Sequence, residues 1–281
     1  MSIKLIGLDI DGTLLNSRKQ ISPRTREAVD AAARAGIHIA YLTGRPLHGV
    51  TENIRVPAVS YIVSSNGAAT HDIVSGALLR GRFIPKDAAK AIASAAMERG
   101  LGVTVFTGGL GYSARSFYEA LMQEYAARGN LAYGQASRRP ADDLFRHIDE
   151  DADGIENICV DTNEQDAHRD MARIMARWPE LSIVTTRGNR GLNMEIGHSE
   201  ADKGAAFLDL ARFLGIDRAE TLAIGDDGND LGLLKSAGTA VAMGNATDEV
   251  KRACARVTLD NDHDGAALVI EEIIAKGTAA N

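Results

Sequence analysis

The chain alternates short apolar runs with longer stretches in which apolar residues recur at helical spacing. Lys4 to Ile10 is a mostly apolar run that ends in a glycine turn, which predicts a strand buried on both faces. Ser22-Pro23 then supplies a helix N-cap with proline in the first turn, and the Ala-rich segment that follows stops at Gly36. Two further apolar runs, Ile37 to Leu42 and Val59 to Val63, end at Thr43-Gly44-Arg45-Pro46 and Ser64-Ser65-Asn66-Gly67. Strand and helix in this succession predict a right-handed parallel α/β sheet.

The rhythm then changes. Residues 69–80 read as a hairpin, followed by a helix from Lys86 to Arg99, a strand pair around Val103–Phe106 and a loop-rich stretch through Pro140. A strand at Ile155–Val160, a helix from Glu164 to Trp178 and a strand at Leu181–Thr185 complete this middle part. The parallel pattern is expected to return near Met194, with a helix at Lys203–Leu214, a strand at Thr221–Ile224, a short helix, a strand at Thr239–Ala242 and a helix at Asp264–Ile274. The prediction is a discontinuous α/β domain, residues 1–82 plus 191–281, carrying an inserted α+β unit at 83–190.

Composition narrows the picture. A chain of 281 residues suits two domains, and 45% hydrophobic with 25% charged residues is ordinary for a globular protein. The formal net charge of -7, with no long run of Lys or Arg, lacks the basic footprint of a nucleic-acid or anionic-membrane binder. MSIKLIGLDIDGT fails as a signal peptide, and no stretch reaches the ~18 apolar residues of a membrane-spanning helix. Cys159 and Cys254 are far apart with no CxxC, which argues against a disulfide framework or zinc site and for a reducing cytoplasm. A monomer and a homodimer are both compatible with this reading.

The polar residues that close the strands are the candidate chemistry. Asp9 and Asp11 follow the first strand, at the edge where open α/β sheets place ligands. Alternate residues of an extended segment share a side, so the two carboxylates can offer a nucleophile and a separate proton donor. An Asx-turn loop with solvated acids fits the same residues. An EF-hand does not, because Leu14 stands where its glycine is required and Gln20 where its glutamate is required. Thr43, Gly44 and Arg45 present a hydroxyl and backbone N–H groups suited to phosphoryl oxygens, or simply a capping turn. Lys203 opens a helix after a polar loop, where the dipole slightly disfavours it, and a solvated surface lysine fits the same position. Asp226, Asp227, Asn229 and Asp230 cluster after another strand, as caps or as oxygen ligands for a hard cation such as Mg²⁺.

Taken together, DIDGTLL, LTGRP, the lysine of DKGAAF and GDDGNDLGLL resemble the four motifs of the haloacid dehalogenase (HAD) superfamily, in order. The insertion between the second and third motifs is the size of the Cof-type (class IIB) cap. SSNGA at 64–68, VAMGNATDEVK at 241–251 and NDHDG at 261–265 are also similar to that family. The resemblance implies a Rossmann-like parallel-sheet core with an inserted α+β cap, and a Mg²⁺-dependent phosphatase acting on a small phosphorylated metabolite such as a sugar phosphate. Asp9 would then be the nucleophile that carries the aspartyl-phosphate, and Asp11 the general acid and base. Thr43 and Lys203 would hold the phosphoryl oxygens, with Gly44, Arg45 and Asn229 nearby. Asp9, Asp11 through its backbone carbonyl, Asp226 and Asp230 would surround the metal. An aspartate at position 11 favours phosphatase or mutase chemistry over that of the superfamily's ATPases. A phosphomutase and a non-catalytic phosphometabolite-binding protein share the same core.

Other features point to structure. His198 precedes Lys203 by five residues without a metal-binding partner at the right spacing. Gly108-Gly109-Leu110-Gly111 lacks the third glycine of a dinucleotide loop and reads as a hairpin turn. Within the cap, Tyr112, Ser113, Arg115 and Arg187 are polar candidates for specificity.

Overall fold

A computed structural model describes residues 2–150, 154–162, 166–188 and 191–278. The chain opens with β1 (Leu5–Leu8), every residue of which is buried. Helix α1 (Pro23–Arg34) starts where expected, with the Ser22 side chain accepting from the Thr25 N–H. Strands β2 (His38–Leu42) and β3 (Tyr61–Ser64) follow, then the hairpin strands β4 (Ala69–Asp72) and β5 (Leu78–Gly81).

The middle of the chain supplies α2 (Lys86–Glu98), β6 (Gly102–Thr107), β7 (Leu110–Ala114), α3 (Arg115–Ala127) and α4 (Leu131–Ser137). It continues with β8 (Arg138–Ala141), α5 (Leu144–Glu150), β9 (Ile155–Thr162), α6 (Ala167–Met175), β10 (Leu181–Gly188) and β11 (Gly191–His198). The last part holds α7 (Lys203–Phe213), β12 (Thr221–Gly225), α8 (Leu231–Ser236), β13 (Thr239–Ala242), α9 (Asp248–Ala253), β14 (Arg256–Val257) and α10 (Gly265–Thr278). Among the described residues no helix is long and apolar enough to cross a membrane.

Two sheets result. The first runs β14-β13-β12-β1-β2-β3-β4-β5, parallel from β14 through β3, with β4 antiparallel to β3. The second runs β10-β11-β9-β6-β7-β8, antiparallel except for the β7–β8 pair. Contacts divide the chain into residues 1–44, 52–80 and 202–281, which carry the first sheet, and 45–51 with 81–201, which carry the second. The first unit is the α/β architecture that the apolar runs predict. Gly7 of β1 fits this packing, because a Cβ there would lie 2.7 Å from the Phe207 ring of α7.

The middle of the chain departs from the sequence reading in three ways. The stretch expected to be loop-rich through Pro140 contains α3, α4 and β8. Helix α3 buries only Leu121 and has no side-chain cap, so its pattern carries no strong apolar stripe, although its Glu, Ala, Leu, Met and Gln residues favour helix. The return of the parallel pattern near Met194 is not seen. Met194 and Ile196 belong to β11, which lies antiparallel between β9 and β10, and the second unit extends to Ala201. Alternation of buried Met194 and Ile196 with half-buried Asn193 and Glu195 is the mark of a strand with one covered face. Third, residues 45–51 group with the second unit although they lie in the first third of the chain. The helix expected from Glu164 is described from Ala167 onward, its first residues lying outside the described residues.

Candidate active site

The parallel register of β1 and β12 pairs Leu8 with Ile224, so both chains leave the sheet at one edge. The Asp9 N–H still donates to the Ile224 carbonyl at 3.1 Å, and its side chain is buried. Gly12 turns the loop with φ +87°, and a Cβ on it would fall 2.1 Å from Asp226 Oδ2. Glycine is needed there both for the left-handed backbone and for the carboxylate beside it. Thr13 Oγ1 donates to Asp226 Oδ1 at 2.9 Å and fixes that carboxylate from the same loop.

Lys203 begins α7 behind its N-cap Asp202, whose side chain accepts from the Ala205 N–H at 2.9 Å. Only 1% of Lys203 is exposed, and its Nζ donates to Asp9 Oδ1 and Asp230 Oδ1, each at 2.7 Å. Burial alone would lower the lysine pKa, but the two carboxylates outweigh it and raise it, so the ammonium stays charged. Asp230 is fully buried, and its Oδ2 accepts from the N–H groups of Asp226 at 2.9 Å and Asp227 at 3.1 Å. Each Asp230 oxygen therefore has a partner within the protein.

Asp9, Asp226 and Asp230 each bring one carboxylate oxygen within 4.8 Å of the others. Burial pushes the Asp9 carboxyl up against the pull of Lys203, and the Asp230 and Asp226 charges add to the push. Burial likewise raises Asp226 to about 6, with Asp230 and Asp227 adding and Thr13 opposing. Three acids crowded in this way, all with hard oxygen donors, fit a divalent cation such as Mg²⁺. The Asp11 carboxylate stands outside this group. Its side chain is 41% exposed and lies 3.2 Å from Lys19 Nζ, so of the two loop acids only Asp9 is enclosed.

Thr43, at the end of β2, is buried; its N–H donates to the Val63 carbonyl at 2.9 Å and its own carbonyl accepts from the Asn66 N–H at 3.0 Å. Gly44 lies against Asn66, where a Cβ would be 3.1 Å from Oδ1. Asn229 Nδ2 donates to the same Asn66 Oδ1 at 3.1 Å, joining the loops after β3 and β12. Arg45 groups with the second unit, where its Nη1 donates to the Gly49 carbonyl at 3.0 Å and its guanidinium lies 4.8 Å from the Tyr133 ring centroid.

Sequence reading gave no role to Asn245 and Asn261. Asn245 Nδ2 donates to the Gly12 carbonyl at 2.8 Å, and Asn245 Oδ1 accepts from the Asn261 N–H at 3.0 Å. Asn261 Nδ2 donates to the Leu15 carbonyl at 2.7 Å. Together they brace the Asp9–Leu15 loop from two distant segments. A polar residue shortly after an apolar strand was the available signal for Asn245, the same one that marks Asp9. Elsewhere, His198 Nδ1 accepts from the Glu200 N–H at 3.1 Å in a local turn, and Gly108 and Gly109 turn the β6–β7 hairpin with φ of 56° and 77°. Tyr112 stacks on His147, Ser113 bonds Thr104 and Arg115 pairs with Asp142; the Arg187 side chain lies outside the described residues.

The model of the haloacid dehalogenase-like hydrolase family matches residues 6–270. The chain belongs to that family. Relatives of this hydrolase include the phosphatase YwpJ of Bacillus subtilis (strain 168), 29% identical over 97% of this chain and 100% of the relative. The 5-amino-6-(5-phospho-D-ribitylamino)uracil phosphatase YwtE of the same organism is 29% identical over 97% and 99%. A crystal structure of a haloacid dehalogenase-like hydrolase from Bacteroides thetaiotaomicron superposes with a TM-score of 0.81 at 27% identity, covering 97% of this chain and 100% of that one. The hydrolase is a phosphatase, in line with its family and with relatives named phosphatases that match it end to end.

Proposed function

We propose that this phosphatase is a Mg²⁺-dependent phosphomonoesterase that acts through an aspartyl-phosphate on Asp9. One observation carries the reading: Lys203 Nζ sits 2.7 Å from Asp9 Oδ1 while oxygens of Asp9, Asp226 and Asp230 come within 4.8 Å of one another. A carboxylate approaching a phosphate dianion is repelled, by about 4 kcal/mol per pair of unit charges 4 Å apart at an effective dielectric of about 20. Lys203 offsets part of that repulsion and holds one oxygen of Asp9, leaving Oδ2 to attack. Asp9, Asp226 and the Asp11 carbonyl would hold Mg²⁺, whose chemistry is to neutralise charge on the transferring phosphoryl oxygens. Asp230, with both oxygens engaged, serves to position Lys203 and the backbone at 226–227.

In the first step Asp9 Oδ2 bonds to phosphorus, the P–O bond to the leaving group breaks, and Asp11 gives that alkoxide its proton. Half-exposed Asp11 then takes a proton from water as the water oxygen attacks phosphorus. The P–O bond to Asp9 breaks, and inorganic phosphate leaves. The Thr43 hydroxyl and the N–H groups after β2 supply donors to the phosphoryl oxygens. Substrates are small phosphorylated metabolites such as sugar phosphates, consistent with a relative named for a phosphoribityl compound. A reducing cytoplasm suits two unpaired cysteines.

Phosphate release from a panel of sugar and polyol phosphates, with Mg²⁺ and with chelator, tests the reading. Turnover is expected with Mg²⁺ only, and Asp9→Asn is expected to remove it. An Asp9→Asn enzyme that retains wild-type turnover contradicts the mechanism.

A further inference from the structure

The loop after β3 holds a backbone that its residues disfavour. Ser65, Asn66 and Gly67 all have positive φ, at 48°, 55° and 103°. A single left-handed residue is ordinary in a turn, and asparagine tolerates it. Three in succession, one of them serine, persist only where the surroundings over-determine the backbone. Three neighbours do so here. The Asn66 N–H donates to the Thr43 carbonyl at 3.0 Å. Gly67 lies against Asp202, whose backbone carbonyl carbon and oxygen would each be 2.5 Å from a Cβ at that position. The Gly67 carbonyl accepts from Arg80 Nη1 at 2.5 Å, and Arg80 Nε donates to Asp209 Oδ2 of α7 at 2.6 Å. The turn is thus clamped between the end of β2 and the helix that Lys203 opens.

This turn presents the Asn66 side chain, whose Oδ1 accepts from Asn229 Nδ2 at 3.1 Å. The strand order β12-β1-β2-β3 means that the loops carrying these two residues leave strands three places apart, roughly 14 Å at a spacing of about 4.8 Å. A direct bond between them must span the ends of β1 and β2, where Asp9 and Thr43 stand. The Asn66 amide also rests on Gly44, where a Cβ would be 3.1 Å from Oδ1 and 3.3 Å from Nδ2. Asn229 adjoins Asp230, which holds Lys203 Nζ. A circuit therefore closes within the first unit, from Asn66 to Asn229, from Asp230 to Lys203, and along α7 through Asp209 and Arg80 back to Gly67. Thr43 is tied to it by the Asn66 N–H.

We propose that Asn66 is a positioning residue for phosphoryl binding, which fixes Thr43 and Gly44 relative to Asn229 and Lys203 without touching the substrate. The inference rests on the reading of Thr43 and Lys203 as the groups that hold phosphoryl oxygens. Donors on separate loops grip one phosphoryl group only while their spacing is kept, and small displacements are costly. Stability and function separate at this position. Glycine fits the left-handed backbone but lacks the amide, whereas alanine lacks both advantages. A role in stability alone predicts that Asn66→Gly binds phosphate as wild type does. A positioning role predicts that it is as defective as Asn66→Ala.

Calorimetric titration of the full chain with inorganic phosphate in the presence of Mg²⁺, alongside thermal unfolding, tests the proposal. Wild type is expected to bind phosphate. Asn66→Ala and Asn66→Gly are each expected to weaken that binding about tenfold, the effect of one lost hydrogen bond, while the Tm of Asn66→Gly stays close to that of wild type. In an Asn229→Ala background, adding Asn66→Ala is expected to weaken binding by less than about twofold, because the two side chains act through one bond. On an ester that the enzyme hydrolyses, Asn66→Gly is expected to lower kcat/KM at least about tenfold without moving its pH profile, since no titratable group is altered. Phosphate binding weakened in this pattern, in a protein that hydrolyses none of the esters, supports the positioning role while defeating the phosphomonoesterase reading. Wild-type phosphate affinity and turnover in Asn66→Gly overturn the role and leave that reading intact. Absence of phosphate binding by wild type, or a loss from Asn66→Ala that is the same with and without Asn229, also overturns it.

Discussion

The two sheets bury their strands differently, and their polar residues are placed accordingly. In the first sheet the central strands are covered on both faces, with every residue of β1 and β12 buried. A functional side chain has no room along such a strand and can emerge only where the strand stops, which is where Asp9, Thr43 and Asp226 stand. In the second sheet β9 and β11 bury alternate residues, and polar groups such as Asp161, Asn193 and Glu195 lie along the strands. Polar groups gather at the edge of the first sheet and spread over a face of the second.

The sharpest way to break the first half of this comparison is Lys203→Met. It leaves Asp9 and Asp230 buried without their cation, so unfolding in denaturant is expected to show a loss of about 3–5 kcal/mol, with phosphate release reduced at least about a thousandfold. Wild-type stability in that variant would mean that the pair is not held as described. The second half is sharpened by comparing the two faces of one sheet. Met194→Ala, on the covered face, is expected to cost about 2–5 kcal/mol in the same measurement, while Thr186→Val, on the opposite face, is expected to change stability by less than about 0.5 kcal/mol.

A smaller effect concerns pH. Without metal, burial raises Asp226 from 3.8 to about 6. A carboxyl whose folded pKa is raised stabilises fully below its unfolded value, and that contribution is lost as pH climbs through the folded one. The Tm of chelated protein is therefore expected to fall as pH rises from 3.8 through about 6, and the gain in Tm on adding Mg²⁺ to grow over the same window. A Mg²⁺ shift independent of pH would contradict the crowding of these acids.

The same contrast explains what the sequence made legible. An apolar run that stops at a polar cluster reveals both a buried parallel strand and the residues at its end, so Asp9, Thr43 and Asp226 stood out. The partnership of Lys203 with Asp9 and Asp230 did not, because positions 194 and 27 residues apart are joined only by the crossing of α7 with the sheet. Nor did the bracing by Asn245 and Asn261, whose contacts depend on where the last loops return. Arg45 follows Thr43 closely in sequence yet packs on Tyr133, a neighbour that no local pattern names. In the second unit, α3 hid because it buries little, and β11 because its alternation was read as the start of a parallel strand.

Rapid acid quenching of the enzyme during turnover, followed by mass mapping of its peptides, tests the central claim most directly. With Mg²⁺ present, a phosphoryl group is expected on Asp9, absent in Asp9→Asn and strongly reduced in Asp226→Ala. A phosphoryl adduct on another residue, or undiminished labelling of Asp9 in Asp226→Ala, would contradict the account.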